Sequence, residues 1–244
     1  MTNIETERLI FTSFRDLNEE EKKVLGDSWA NPFNARFNGM KDPYGSVEKL
    51  SKLQDPTFNN LDDYYDCMYF RVVRDKVTNE IVGNCRYGKY YDSEDNSIWD
   101  VGCNMLLKYW HSGYGVEILE KIIDVARENG VKIIIGGADK ENFGSYKAMI
   151  RSGFMYDCID GDGDYRYCID LNKEPLTSDE RNKVWNEHLF MAKRDLGENV
   201  FQDLEHINSL ISEMVARIHN GESEECLVKE YFEMANKIRP FPFS

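Results

Sequence analysis

An α/β fold on a mixed sheet, followed by a helical segment, is predicted by three features of this 244-residue sequence. Short apolar strands alternate with amphipathic helices through residue 172. One helix stands between two strands as a β-α-β crossover, the connection that parallel strands require. Residues 173–244 then show helical periodicity alone.

The elements follow in order. "RLIFTSF" (8–14) reads as a short strand, and "RDLNEEEKKVLGDSW" turns helical after Asn18 as N-cap. Residues 30–66 are rich in Asn, Asp, Pro and Tyr without a period, a loop with one short helix near "SVEKLSKL". Such a segment suits a substrate-facing role. "CMYFRVVR" (67–74) and "IVGNCRYGKYY" (81–91) form a hairpin across "DKVTNE". "SIWDVGCNML" (97–106) is the next strand.

From Gly115 to Asn129 a helix carries Val116, Leu119, Ile122, Ile123 and Ala126 on one face, and Gly130 ends it. "VKIIIGGA" is an apolar run expected to be buried on both faces. "NFGSYKAMIRSG" is a helix capped by Asn142 and stopped at Gly153. "FMYDCID" and "YRYCIDL" pair across the tip "GDGD".

Composition narrows the function. A net charge of −14 disfavours nonspecific nucleic-acid binding, which relies on Lys and Arg against phosphates. The same charge would attract a cationic substrate, or serve solubility alone. No apolar run approaches the roughly eighteen residues that a membrane span needs. "MTNIETERLIF" has neither a basic nor an apolar leader region, and the expected compartment is the cytoplasm. Cys67, Cys85, Cys103, Cys158, Cys168 and Cys226 are scattered without C-x-x-C, so reduced thiols are expected and no metal site. "GDGDY" is no calcium loop, because Tyr165 and Leu171 stand where such a loop needs glycine and glutamate.

Gly113 and Gly115 open a helix, where glycine costs up to about 1 kcal/mol against alanine. They fit either a tight turn or a backbone cradle for phosphate at a helix N-terminus. No G-x-x-x-x-G-K-[ST] occurs, and Ile118 occupies the place of the third glycine of a dinucleotide fingerprint. ATP and NAD are therefore poorly supported.

Three motifs decide between the two readings. "IETERLIF", "WDVGCNMLLKYWHSGYGVEIL" and "ADKENFGSYKAMIRSGF" stand in the order and spacing of a known family. Residues 4–171 resemble the GCN5-related N-acetyltransferase (GNAT) superfamily, specifically its ribosomal-protein N-terminal acetyltransferase-like (RimJ/RimL-type) branch.

The resemblance implies a GNAT fold over residues 1–172 and acetyl-CoA as co-substrate, without a metal. His111, Ser112, Gly113, Tyr114, Gly115 and Val116 would cradle the pyrophosphate. The backbone of Cys103, Asn104 and Met105 would bond the pantetheine arm like an added strand. Asn142 would bond a pantetheine amide, and Ser145 would line the same channel. Asn142 also reads as a plain helix cap, and both roles can hold together.

The implied chemistry is direct attack of a neutral primary amine on the thioester. The amine must first lose a proton, and Asp100, sharing a strand face with Gly102 and Asn104, is the candidate base. Its other reading is a structural hydrogen-bond acceptor. Many relatives carry a tyrosine four residues before the G-F glycine as proton donor to the thiolate, and here that residue is Met149. Tyr146, one turn earlier, is the substitute candidate.

The tail, 173–244, lies outside the resemblance and reads as helices over about 178–196, 199–219 and 223–238. Val200, Leu204, Ile207, Ile211, Met214 and Ile218 form a heptad-like stripe. The stripe serves either a small helical bundle packed on itself or on the acetyltransferase-like core, or a dimerisation or partner-binding element, which leaves monomer and homodimer both open. The sequence thus points to an N-acetyltransferase acting on a small-molecule or peptide amine such as a peptide N-terminus, a polyamine or an aminoglycoside. The alternative is a coenzyme-A-binding scaffold with weak catalysis and a partner-binding tail.

Overall fold

The computed structural model describes residues 4–37, 68–90, 92–94 and 96–240. The helix expected near "SVEKLSKL" and Cys67 lie outside the described residues. Eight strands form one mixed sheet: β1 (Ile4–Glu5), β2 (Leu9–Ser13), β3 (Met68–Asp75), β4 (Ile81–Lys89), β5 (Ile98–Met105), β6 (Ile133–Ala138), β7 (Met155–Ile159) and β8 (Tyr165–Asp170). Their order is β1-β2-β3-β4-β5-β6-β8-β7. Among the described residues only the β5–β6 pair is parallel, and it is joined by the helix α3 (Tyr114–Glu128). The mixed α/β class therefore stands.

Local chemistry explains the helix starts. Asn18 caps α1 (Glu19–Ala30) in a capping box with Glu21. Asn142 accepts from the Ser145 amide to cap α4 (Phe143–Arg151), and Thr177 caps α5 (Ser178–Leu196) in a second box with Glu180. The helices α6 (Glu198–His219) and α7 (Glu224–Ile238) complete the tail. Two elements were not anticipated. Strand β1 is a two-residue pairing with β2, too short to show a period, and α2 (Pro32–Phe37) is a six-residue helix in a segment read as loop.

A smaller cluster of Leu17, Leu25, Val72 and Ile81 lies under α1, and packing places the main core on the face of the sheet that α3 covers. Ile118, Leu119, Ile122, Ile123 and Ala126 of α3 are all buried against it with Val101 and Ile134. Full burial of one such isoleucine or leucine is worth about 1.5–3 kcal/mol. Strand β6 was expected to be buried on both faces. Instead Ile134, Gly136 and Ala138 are buried while the alternate residues are half-buried among the described residues.

The tail packs onto this body. Ala192 of α5 and Phe201 of α6 belong to the main core, while Ile207, Ile211 and Met214 join Leu227 and Tyr231 of α7 in a second cluster. That second cluster also takes in Phe33 of α2 and Leu107 behind β5. The heptad-like stripe is thus internal packing, with Leu204, Ile207, Ile211 and Met214 buried and its two ends, Val200 and Ile218, half-buried.

The joint between α5 and the sheet holds His188, only 3% exposed, with Nε2 3.1 Å from the Tyr167 hydroxyl. Burial holds its imidazole down at about 4, only partly offset by Asp195. The unfolded chain therefore takes up a proton between about pH 6.5 and pH 4 that the folded chain refuses, and stability falls with pH through that window. The size is about 3 kcal/mol. Thermal melts from about pH 7 to about pH 4.5 should show this fall reduced in His188→Gln, which keeps a hydrogen-bonding side chain but cannot titrate. Equal slopes in the two proteins would contradict it.

Candidate active site

The site begins where a strand pair stops. Strands β5 and β6 pair in parallel from Ile98↔Ile133 to Val101↔Gly136 and no further. Beyond that point β5 continues through Met105 against β4 alone, and β6 continues to Ala138 against β8 alone. The two strands splay. Among the described residues, 102–105 consequently present an unpaired strand edge, a ready partner for an extended chain. The Met105 carbonyl at the end of that edge is already taken by Trp110 Nε1 at 3.0 Å and Asn34 Nδ2 at 3.3 Å.

The chain then turns through a 3₁₀ segment, Leu107–Tyr109, into α3. His111 at φ 60° and Gly113 at φ 84° both lie in the left-handed region, which glycine adopts freely and other residues rarely. Gly113 caps α3 with no side chain, so the first amides, on Tyr114, Gly115 and Val116, open into the cleft. A Cβ at Gly115 would meet only the Ala148 Cβ at 3.7 Å, an ordinary contact. Internal packing therefore does not demand glycine there.

Motif residues from the N-terminus brace this turn. Glu117 accepts from the Arg8 amide at 3.1 Å, from Arg8 Nε at 2.7 Å and from the Thr6 hydroxyl. Arg8 also reaches the Ser112 carbonyl at 3.2 Å and lies over the Tyr114 ring at 4.2 Å. Burial would raise the Glu117 carboxyl, but Thr6 and Arg8 outweigh it and hold the group below the usual range. The Thr6 and Arg8 of "TERL" thus fix the helix that offers the amides.

Splayed edge and helix terminus open into one cavity of about 550 Å³. Cys103, Asn104, Met105, His111, Gly113, Tyr114, Gly115, Val116, Asn142 and Ser145 all line it. Ser112 does not, since its hydroxyl turns back onto the Tyr109 carbonyl. Lys147 and Arg151 of α4 bring positive charge to the same wall. Sequence reasoning missed this pair, although their i,i+4 spacing on a capped helix was visible.

Neither candidate for proton transfer lines the cavity. Asp100 sits one residue before the last β5–β6 pair, with its carboxylate ion-paired to Arg86. Tyr146 is fully buried among Phe143, Tyr165, Trp185 and His188, and its hydroxyl has no partner among the described residues. Burial pushes that phenol well above its ordinary range. The side chain of Met149 does line the cavity and packs on Gly136 at the splay, so no hydroxyl stands there.

The carboxylates that do reach the cavity are Glu141 and Glu205. Glu141 bonds Arg239 at 3.2 and 2.6 Å and also pairs with Arg36. Burial would raise it, yet the two guanidiniums hold it below the usual range, which makes it a poor base. Among the described residues no cluster of three or more His, Cys, Asp or Glu could hold a metal ion, and no helix is long and apolar enough to cross a membrane.

A splayed parallel pair beside an uncapped glycine-opened helix matches one known architecture. The family model described as "Acetyltransferase (GNAT) domain" matches residues 13–155. The chain belongs to the GNAT acetyltransferase family. No curated protein matches the sequence. A GNAT-family acetyltransferase from Bacillus anthracis superposes with a TM-score of 0.52 at 20% identity, over 70% of this chain and 100% of that one. RimL, the ribosomal L7/L12 alpha-N-protein acetyltransferase in complex with coenzyme A, gives 0.54 at 14% identity over 71% and 100%. AAC(6')-Ib in complex with ribostamycin and coenzyme A gives 0.53 at 10% identity over 68% and 93%. This GNAT enzyme is an N-acetyltransferase, and the family segment ends well before the tail.

Proposed function

We propose that the protein transfers the acetyl group of acetyl-CoA to a primary amine. The observation that carries this reading is the single cavity shared by the splayed β5 edge and the open amides of α3. An extended pantetheine arm fits the first, through amides that complete the interrupted sheet. A pyrophosphate fits the second, where helix dipole and bare N–H groups favour an anion. Lys147 and Arg151 add charge for the phosphates. The complexes of RimL and AAC(6')-Ib with coenzyme A support the same co-substrate here. One is named for the alpha-amine of a ribosomal protein and the other is held with ribostamycin, which supports an amine acceptor here.

The neutral amine attacks the thioester carbon, and the thiolate of coenzyme A leaves as the amide forms. A thiol of pKa near 8.5 is a fair leaving group without a donor, which suits Met149 at the position where relatives carry tyrosine. The amine's proton passes to water at the cavity mouth. Asp100, tied to Arg86, is assigned a structural role.

A thiol-release assay with acetyl-CoA against peptide, polyamine and aminoglycoside panels tests the reaction. Turnover on an amine is expected, while coenzyme binding with no turnover on any amine would favour the scaffold alternative. Gly115→Val, placing a branched side chain where phosphate would approach, should weaken coenzyme A binding at least about tenfold, roughly 1.4 kcal/mol, in a folded protein. Equal affinity by calorimetry would remove the pyrophosphate assignment. Asp100→Asn should lower stability by about 1 kcal/mol through the lost ion pair and leave kcat within about threefold. A loss of about 10²-fold that recovers at high pH would instead make Asp100 the general base.

A further inference from the structure

The tail helix α6 lies beyond the family segment, yet it forms part of the cavity wall. It starts beside α4, where the Phe201 ring is 5.1 Å from that of Phe143. It ends beside the 3₁₀ turn after β5, where the His219 ring bonds the Lys108 carbonyl. Its 22 residues reach about 33 Å. The helix therefore crosses from the β6 side of the splay to the β5 side.

Leu204, Ile207, Asn208 and Ile211 all line the cavity. Their spacing of three, four and seven puts them on one helical face. Ile207 and Ile211 also belong, with Leu210, Met214 and Val215, to the second cluster with α7 and Phe33, so the stripe stands at the seam between cavity and cluster. Glu205 and Ser209 of α6 also reach the cavity, but Asn208 is the polar side chain set between Leu204, Ile207 and Ile211; it is half-buried, and its side-chain amide makes no hydrogen bond among the described residues. An amide held in an apolar stripe without a protein partner suits a ligand that alternates methylenes with amides.

The tail is also fastened to the opposite lip. Arg239, just past α7, bonds Glu141, the residue before the capping Asn142. The loop that would meet the pantetheine arm is thereby tied to the helices that cover it.

We propose that α6 is the outer wall of the co-substrate channel, gripping the pantetheine arm against the β5 edge with the Asn208 side chain bonding one of its amides. The assignment rests on acetyl-CoA being the co-substrate. Coenzyme binding and tail docking are then linked, each strengthening the other by the same factor.

The test uses the full chain with coenzyme A itself. Hydrogen exchange with and without saturating coenzyme A should show amides of residues 204–211 slowed severalfold, alongside those of 114–116. Asn208→Trp, which fills the channel, should weaken coenzyme A binding at least about tenfold with Tm unchanged. If wild type fails to bind coenzyme A, the underlying reading of function falls. If wild type binds and protects 114–116 while 204–211 exchange as before, the wall assignment alone falls. Wild-type affinity in Asn208→Trp would also overturn it. Should that variant not fold, the exchange measurement on wild type decides.

Discussion

The structure depends on one interrupted strand pair. Val101 and Gly136 are the last partners of the parallel ladder, and everything functional is arranged around the gap that follows. Backbone donors and acceptors seldom stay unpaired inside a protein, so a strand edge opened in mid-sheet is a standing demand for an extended partner. The sheet can bear the interruption because each strand keeps its outer neighbour, β4 for one and β8 for the other. Gly83 shows how tightly that outer neighbour holds. A Cβ there would meet the Asn104 carbonyl at 2.2 Å, so β4 and the splayed half of β5 approach as only glycine permits.

The charge pattern follows from the same gap. The helix that carries the crossover must begin beside the splay, and its uncapped amides give that end a positive field. Arg8 and Glu117 satisfy each other close by without covering those amides. Glu141, in contrast, is surrounded by Arg36 and Arg239, so the loop after β6 is rigidly held and its carboxylate is occupied. The cavity thereby suits an anionic, extended molecule, and in the proposed reaction the amine's proton goes to solvent.

Much of this was legible in the sequence, for identifiable reasons. Helix α3 announced itself through an apolar face of period 3.6 between Gly113 and Gly130, and α4 through Asn142 and Gly153. The tail helices were readable to within about two residues because Thr177 and Ser223 cap them and Gly197 and Gly221 separate them. The residues that line the cavity around Gly113 and Gly115 were visible because backbone cradles leave glycines in a fixed order. The surroundings of Asp100 and Tyr146, neither of which lines the cavity, were hidden for the opposite reason. A side chain's role depends on what it meets across the fold, and neither the Arg86 partner of Asp100 nor the burial of Tyr146 against α5 has a local signature. Arg8, Glu117, Glu141 and Arg239 went unseen likewise, since their contacts span about a hundred residues of chain.

The claim that the splayed edge takes an extended coenzyme arm in place of a strand is tested most directly by a crystal structure with coenzyme A. The account predicts pantetheine amides hydrogen-bonded to the backbone between Cys103 and Met105 and pyrophosphate oxygens on the amides of Tyr114 to Val116. Coenzyme A bound elsewhere, with residues 102–105 still unpartnered, would contradict it.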